Sequence, residues 1–287
     1  AGVISTLSQT VGEVRGVGYH DSVAGPVDRN WLDAIDKDRP IRIQHRSGRL
    51  WIMNSAALAL YGLSSTDGRI LDQDSTLTRR VPLDLSAVVQ TLKEQGVTGV
   101  TEVTPHNGVE EFARYAALPL TTFIMGRPEL ASVEDSRVGP VKLHYHDHNL
   151  PSLVDLSEEV RAAHRSGRPV ASHCVTRAER MLTLAAIEEA GVHPKDRIEH
   201  GAIVDASTRD WIKRLGVCVV TQPNFLAERE AAYRVDVPQD DHAYLWPVRY
   251  LLEADIPVAG GTAAPFGSYA PWAAMDAAVN RPDGFGS

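Results

Sequence analysis

Cysteine is scarce in this chain. Its 287 residues hold two, Cys174 and Cys218. Each lies in an apolar, strand-like run, so reduced buried thiols are expected instead of a disulfide, which suits the cytoplasm. Long apolar runs are missing too, and nothing approaches the roughly 20 residues that span a bilayer. Ala1 to Thr10 has no basic region followed by a long apolar stretch, so no signal peptide is visible. Positive charge is not in excess. A formal net charge of -8 gives no electrostatic footprint for nucleic acid or an anionic membrane. No glycine-rich phosphate loop follows any strand-like run, which argues against an open, doubly wound nucleotide-binding sheet. There is no internal repeat and no low-complexity tract. What remains is an ordinary globular composition, 43% apolar and 23% charged. The length suits one large α/β domain or two smaller ones, with a small molecule as the expected partner.

The second half alternates strand-like and helix-like segments. Gly96–Thr104, Thr121–Gly126, Gly139–His146, Pro169–Val175, Arg197–Val204, Val217–Pro223 and Ile256–Pro265 read as seven strands. Helices are expected at Glu110–Ala117, at Ser157–Ser166, and at Ala178–Ala190 with Gly191 as its stop. This alternation predicts a parallel sheet buried on both faces. Glu13 to Asp84 is rich in Gly, Asp, Arg and Trp and poor in periodicity. It reads as an insertion or cap with one clear helix, Asn54–Tyr61, capped by Asn54 or Ser55 and stopped by Gly62.

In parallel barrels the functional groups stand at the C-terminal ends of the strands. Here Lys142, His144 and His146 alternate along one strand, so they share a face. His173 and His200 end the next two strands, and Gln222 and Asn224 follow the sixth. Imidazoles are the commonest ligands of zinc-like ions. A lysine joins such a site if carbamylation turns its amine into an oxygen donor. The plainer alternative is that His144, His146 and His148 form a solvated loop edge and Lys142 is a lysine with a buried stem.

The segments GPVKLHYHD, GRPVASHCVTRAE, DRIEHGAIV, VVTQPNF and GGTAAPFGSYAPWAAM resemble, in order, the last five barrel strands of the amidohydrolase superfamily. QHRSGRLWIMNSAALALYG resembles the branch that includes N-substituted formamide deformylase. The resemblance implies a TIM (β/α)8 barrel, with strand 1 and most of a small β-sandwich domain outside the given residues. Residues 1–95 would then be the insertion or cap after barrel strand 1, and 96–287 barrel strands 2–8. It implies a divalent metal, zinc first, held by Lys142 on strand 4, His173 on strand 5 and His200 on strand 6. His173 and His200 would also be catalytic. Tyr19, His20, His45, Trp51, Asn54, His144 and Gln222 would border the substrate. A homodimer is the default assembly.

Two departures stand against the pattern. The family's strand 1 His-x-His pair is not found before Arg15–His20, and the strand 8 Gly-Ser-Asp-Ala-Pro is Gly261-Thr262-Ala263-Ala264-Pro265. Ala263 takes the place of the aspartate that binds metal and accepts the proton. Three readings follow. One is a metal-dependent hydrolase of a non-peptide amide, formamide or cyclic amide whose site is degenerate or truncated in the given residues, with the metal itself absent in the extreme case. Another is a metal-free lyase, isomerase or cyclase using Lys142, His144, His173 and Glu102. The last is a non-catalytic small-molecule binder.

Overall fold

The computed structural model describes residues 12–46, 48–71 and 84–286, so the leader reading of Ala1–Thr10 lies outside the described residues. The chain divides into two compact units, Ala1–Leu83 and Asp84–Ser287.

The first unit is more ordered than its sequence suggests. Strands β1 (Val14–Tyr19), β2 (Ile41–His45), β3 (Leu50–Met53) and β4 (Arg69–Leu71) form one sheet in that order. β1 pairs parallel to β2, and the other neighbours are antiparallel. Helices α1 (Asp21–Ala24), α2 (Arg29–Ile35) and α3 (Ser55–Tyr61) complete it. Val14, Val27, Leu32, Ile41, Ile43 and Ile52 make its main core. The strands are three to six residues long. Runs that short carry too few periods to stand out, which is why the sequence reads as a cap of poor regularity. α3 starts on Asn54 and stops on Gly62, whose φ of 65° is the left-handed stop that glycine takes without strain.

The second unit holds seven parallel strands: β5 (Gly99–Glu102), β6 (Thr121–Gly126), β7 (Val138–Leu143), β8 (Val170–Cys174), β9 (Arg197–His200), β10 (Cys218–Thr221) and β11 (Val258–Gly260). Their order in the sheet is their order in the sequence, from β5 at one edge to β11 at the other. A doubly wound sheet would reverse direction at a switch point. An unreversed run is how a (β/α) barrel is laid down, each crossover stepping the same way. Helix α4 (Ser86–Glu94) precedes them, and α5 (Val109–Ala116), α6 (Leu153–Arg165), α7 (Arg177–Ala190), α8 (Ala206–Leu215), α9 (Asn224–Asp236), α10 (Val248–Leu252) and α11 (Pro271–Val279) intervene or follow.

Side chains alternate along each strand, and the two faces differ in kind. Val141, Leu143, Val170, Cys174, Ile198 and Val219 face outward onto Leu156, Val160, Leu184, Ile187 and Ile212 of α6, α7 and α8. Each such aliphatic contributes about 1.5–3 kcal/mol on burial, so this layer carries much of the unit's stability. Lys142, His173, Arg197 and Glu199 alternate with them and stand on the other face. Both cysteines are free, Cys174 buried and Cys218 half-buried. Among the described residues no helix is long and apolar enough to cross a membrane.

The strands end earlier than the sequence patterns do. β7 stops at Leu143 and β9 at His200, not at His146 and Val204. The polar residues that follow lose their partners in the sheet while the chain is still extended. His146, for instance, has φ -128° and ψ 160°.

Candidate functional site

β7, β8 and β9 are neighbours, and their C-terminal ends deliver a lysine and several histidines to one place. Register sets this up: Lys142 pairs with Ala171, His173 with Glu199, and Cys174 with His200. Beyond Leu143 the chain stays extended, so alternation persists. His144 and His146 come together with ring centroids 4.6 Å apart, while Tyr145 turns the other way and gives its hydroxyl to Glu159 at 2.7 Å. The His173 ring lies 4.4 Å from His144, 5.2 Å from His146 and 4.6 Å from His200. One possible ligand atom from each of His144, His146 and His173 falls within 4.8 Å of the others. Cys174 is kept out of this group. It points into the helix-facing core and lies 3.4 Å from the Thr183 hydroxyl.

Second partners orient the rings. His200 Nδ1 is 2.7 Å from Gln222 Oε1. Gln222 is itself fixed by its Nε2, which donates to the Val220 carbonyl at 3.3 Å. An amide oxygen only accepts, so the His200 proton sits on Nδ1 and the lone pair is on Nε2. His200 takes φ 75°, an unusual conformation for a non-glycine residue. His146 Nδ1 lies 3.4 Å from Glu179 Oε1. Glu179 is buried, and its other oxygen accepts from the Val175 and Thr176 amides at 2.8 and 3.0 Å.

Burial governs the charges. It lowers His144 to about 3, helped by His146 and Lys142. It lowers His200 to about 4, with Lys142 adding to the effect and the Gln222 bond opposing it. His173 is pushed far below the ordinary histidine value by burial and then by its neighbours His200 and His144. Burial pulls Lys142 down to about 8, against the attraction of Glu199. For Glu179, burial would raise the pKa, but the bonds from His146 and the Thr176 and Val175 amides outweigh it and hold it below its ordinary value. His144, His173 and His200 are therefore neutral near pH 7, the form that ligates metals. Neutral nitrogen donors with a buried carboxylate behind one of them fit a zinc-like divalent ion, and they do not suit magnesium or calcium, which prefer oxygen.

Other residues singled out in the sequence fall in several places. Glu102 is engaged at the start of its loop by the Thr104 hydroxyl at 2.6 Å and by Asn107. Ala263 follows β11 with φ 49° and packs beside the Phe225, Leu226 and Trp246 cluster. Its methyl group offers neither a ligand nor a proton acceptor. In the first unit, Tyr19, His20 and His45 form an aromatic group. Asn54 and Trp51 have structural jobs. Asn54 Oδ1 accepts from the Ile41 and Ala57 amides, and its Nδ2 donates to the Asp36 and Arg39 carbonyls, so no polar atom is left over. Trp51 is 2% exposed, with the Arg42 guanidinium 4.9 Å from its ring centre.

Two residues near the site are not singled out by sequence reasoning. Glu179 is legible only as the last member of a Thr176–Glu179 capping box, a helix-start signal that explains its place without pointing to His146. Glu199 pairs with Arg197 at 2.7 Å on the face that carries His173. Its alternation with Ile198 is the available clue.

Comparison with known proteins agrees with this architecture. No curated protein matches the chain. Among solved structures, an uncharacterized metal-dependent hydrolase from Pyrococcus horikoshii OT3 superposes with a TM-score of 0.75 at 21% identity, covering 99% of this chain and 69% of that one. An uncharacterized metal-dependent hydrolase from Pyrococcus furiosus gives 0.72 at 21% identity, covering 98% and 70%. At that identity the likeness establishes the fold, a TIM-like mixed α/β architecture. A family model described as the amidohydrolase family matches residues 2–287, and the chain belongs to that family.

Proposed function

We propose that this chain is the barrel of a metal-dependent hydrolase acting on a carbon–nitrogen bond of a non-peptide amide, formamide or cyclic amide, with a site left degenerate by Ala263. The observation that carries the reading is the convergence of Lys142, His173 and His200 at the ends of three adjacent strands. Family membership supports it, as does the likeness to two Pyrococcus proteins described as metal-dependent hydrolases. Zinc is the proposed ion, and the family pattern would give it a carbamylated Lys142, His173 and His200 as holders. An ion there would polarise the substrate carbonyl and acidify the attacking water. The protein's own contribution is orientation. Gln222 holds the His200 proton on Nδ1, so Nε2 faces the reaction centre with its lone pair. Burial keeps His173 neutral, and Glu199 lies beside Lys142. The proton acceptor is the missing part, because residue 263 carries only a methyl group.

That same residue favours a second reading, a non-catalytic binder of small molecules on the same barrel. Ala263→Asp separates the two. Its left-handed backbone favours Asp over Ala, so the variant should fold. Restoring a general base should raise hydrolysis of N-substituted formamides and cyclic amides by about 10²–10⁴-fold with zinc present. A folded, zinc-loaded variant with no gain favours the binder.

A further inference from the structure

The family pattern draws its metal ligands from Lys142, His173 and His200, and it assigns no ligand to His144 or His146. The geometry points elsewhere. We propose that His144, His146 and His173 form a three-imidazole site for a zinc-type divalent ion, shifted towards the β7 end of the cluster, with Lys142 and His200 outside the coordination shell. The proposal rests on the reading of these strand ends as a metal centre and changes which side chains hold the ion.

Three observations carry it. The first is proximity. Ligand atoms of these three rings lie within 4.8 Å of one another. Zinc–nitrogen bonds of tetrahedral geometry place ligand nitrogens about 3.4 Å apart, so small side-chain rotations close the set. The second is chain geometry. His144 and His146 sit two residues apart on an extended segment past the last sheet bond of β7, and their rings are 4.6 Å apart. An i, i+2 histidine pair on extended chain presents both rings from one face, and β8 supplies the third from beside it. The third is the carboxylate behind the set. Glu179 is 4% exposed and stands 3.4 Å from His146 Nδ1. A carboxylate on one ring nitrogen fixes the tautomer and leaves the other nitrogen to bind the ion. Glu179 is anchored by two backbone amides at the head of α7, so its position does not depend on a ligand. Among the described residues, the group of ligand atoms that close on one another does not include His200. A site built this way needs neither a strand 1 pair nor an aspartate at position 263.

The test is metal binding by the full chain, read without turnover. Zinc X-ray absorption on the zinc-loaded wild-type chain should report three imidazoles, and cobalt(II) loading should give intense tetrahedral bands. In competition with a chromophoric chelator, His144→Gln and His146→Gln should each weaken zinc binding by at least about tenfold, while His200→Gln changes it little. Circular dichroism checks that each variant folds, and the wild-type spectra need no variant. Two imidazoles in the spectrum, with wild-type affinity in the His144 and His146 variants and loss in His200→Gln, overturn this ligand set and leave the proposed function standing. A wild-type chain that binds no zinc at micromolar concentrations overturns both.

Discussion

Each unit of this protein gathers histidines at strand ends, yet the two gatherings differ. In the first, Tyr19, His20 and His45 lie near one another, with the two imidazole centroids 5.6 Å apart. In the second, four imidazoles are linked by centroid separations of 4.4–5.2 Å, and two of them are backed by a buried glutamate and a buried glutamine. The difference lies in the scaffold. A mixed sheet of four short strands brings few consecutive ends to one edge. A parallel sheet in sequential order brings every C-terminal end to the same side, so polar residues that are far apart in the sequence must meet. In the first unit two parallel strand ends, those of β1 and β2, bring two histidines together; in the second the ends of three consecutive parallel strands bring four.

The comparison can be tested by perturbing the scaffold, the rings and the helix caps in turn. The largest effect should come from the scaffold. Leu184 is fully buried in the layer between α7 and the sheet, so Leu184→Ala should cost about 2–5 kcal/mol in urea unfolding. The support of the rings comes next. Glu179→Gln should weaken zinc binding by about 10–100-fold in chelator competition, while one amide-to-oxygen cap bond can still form. An unchanged affinity would reduce Glu179 to a helix cap.

A smaller effect is expected at Asp205, which begins α8 by accepting from the Thr208 amide at 3.0 Å. Asp205→Ala should cost about 0.5–2 kcal/mol, and Asp205→Asn less, since Asn keeps the cap. Its titration gives the sign of a pH effect. Burial would raise Asp205, but the Thr208 amide, the Ser207 and Thr208 hydroxyls and Arg177 together bring it to about 2, below the usual aspartate value. The charged form is thus favoured by folding. Its contribution is complete above the unfolded pKa of about 4 and is lost as the pH falls towards 2. The stability gap between wild type and Asp205→Ala, read by urea unfolding across pH, should hold steady at neutral pH and shrink below about pH 4. The smallest effect belongs to the other histidine group. His45→Asn should leave zinc affinity unchanged, and a tenfold loss there would erase the distinction between the two units.

Much of the second unit is legible in the residues alone. β-branched runs ending in polar residues mark seven strands, and Gly191 marks the end of α7. What escapes is where pairing stops. Nothing in VKLHYHD tells that Leu143 is the last bonded residue, because an extended chain alternates equally well in or out of a sheet. The first unit is less legible. IRIQH and RIL are too short for a periodicity argument, and their partners show only once the strands lie side by side. Asn54 has the same limit. Its role as a helix cap is local and readable, but its bonds to Ile41, Asp36 and Arg39 are not.

The sequence alone determined the chemistry on offer: two thiols placed in apolar runs, a lysine and histidines at strand ends, an alanine where the family carries aspartate. Those are properties of residue type and spacing along one strand, and alternation by two fixes which of them share a face. Only the tertiary structure decided which of them meet. Strand register put His173 beside His144, the turn of α7 brought Glu179 behind His146, and Gln222 crossed from the next strand to hold His200. These contacts join segments tens of residues apart, and no local preference encodes them; they arise because packing the helices onto one face of a parallel sheet fixes the neighbours on the other.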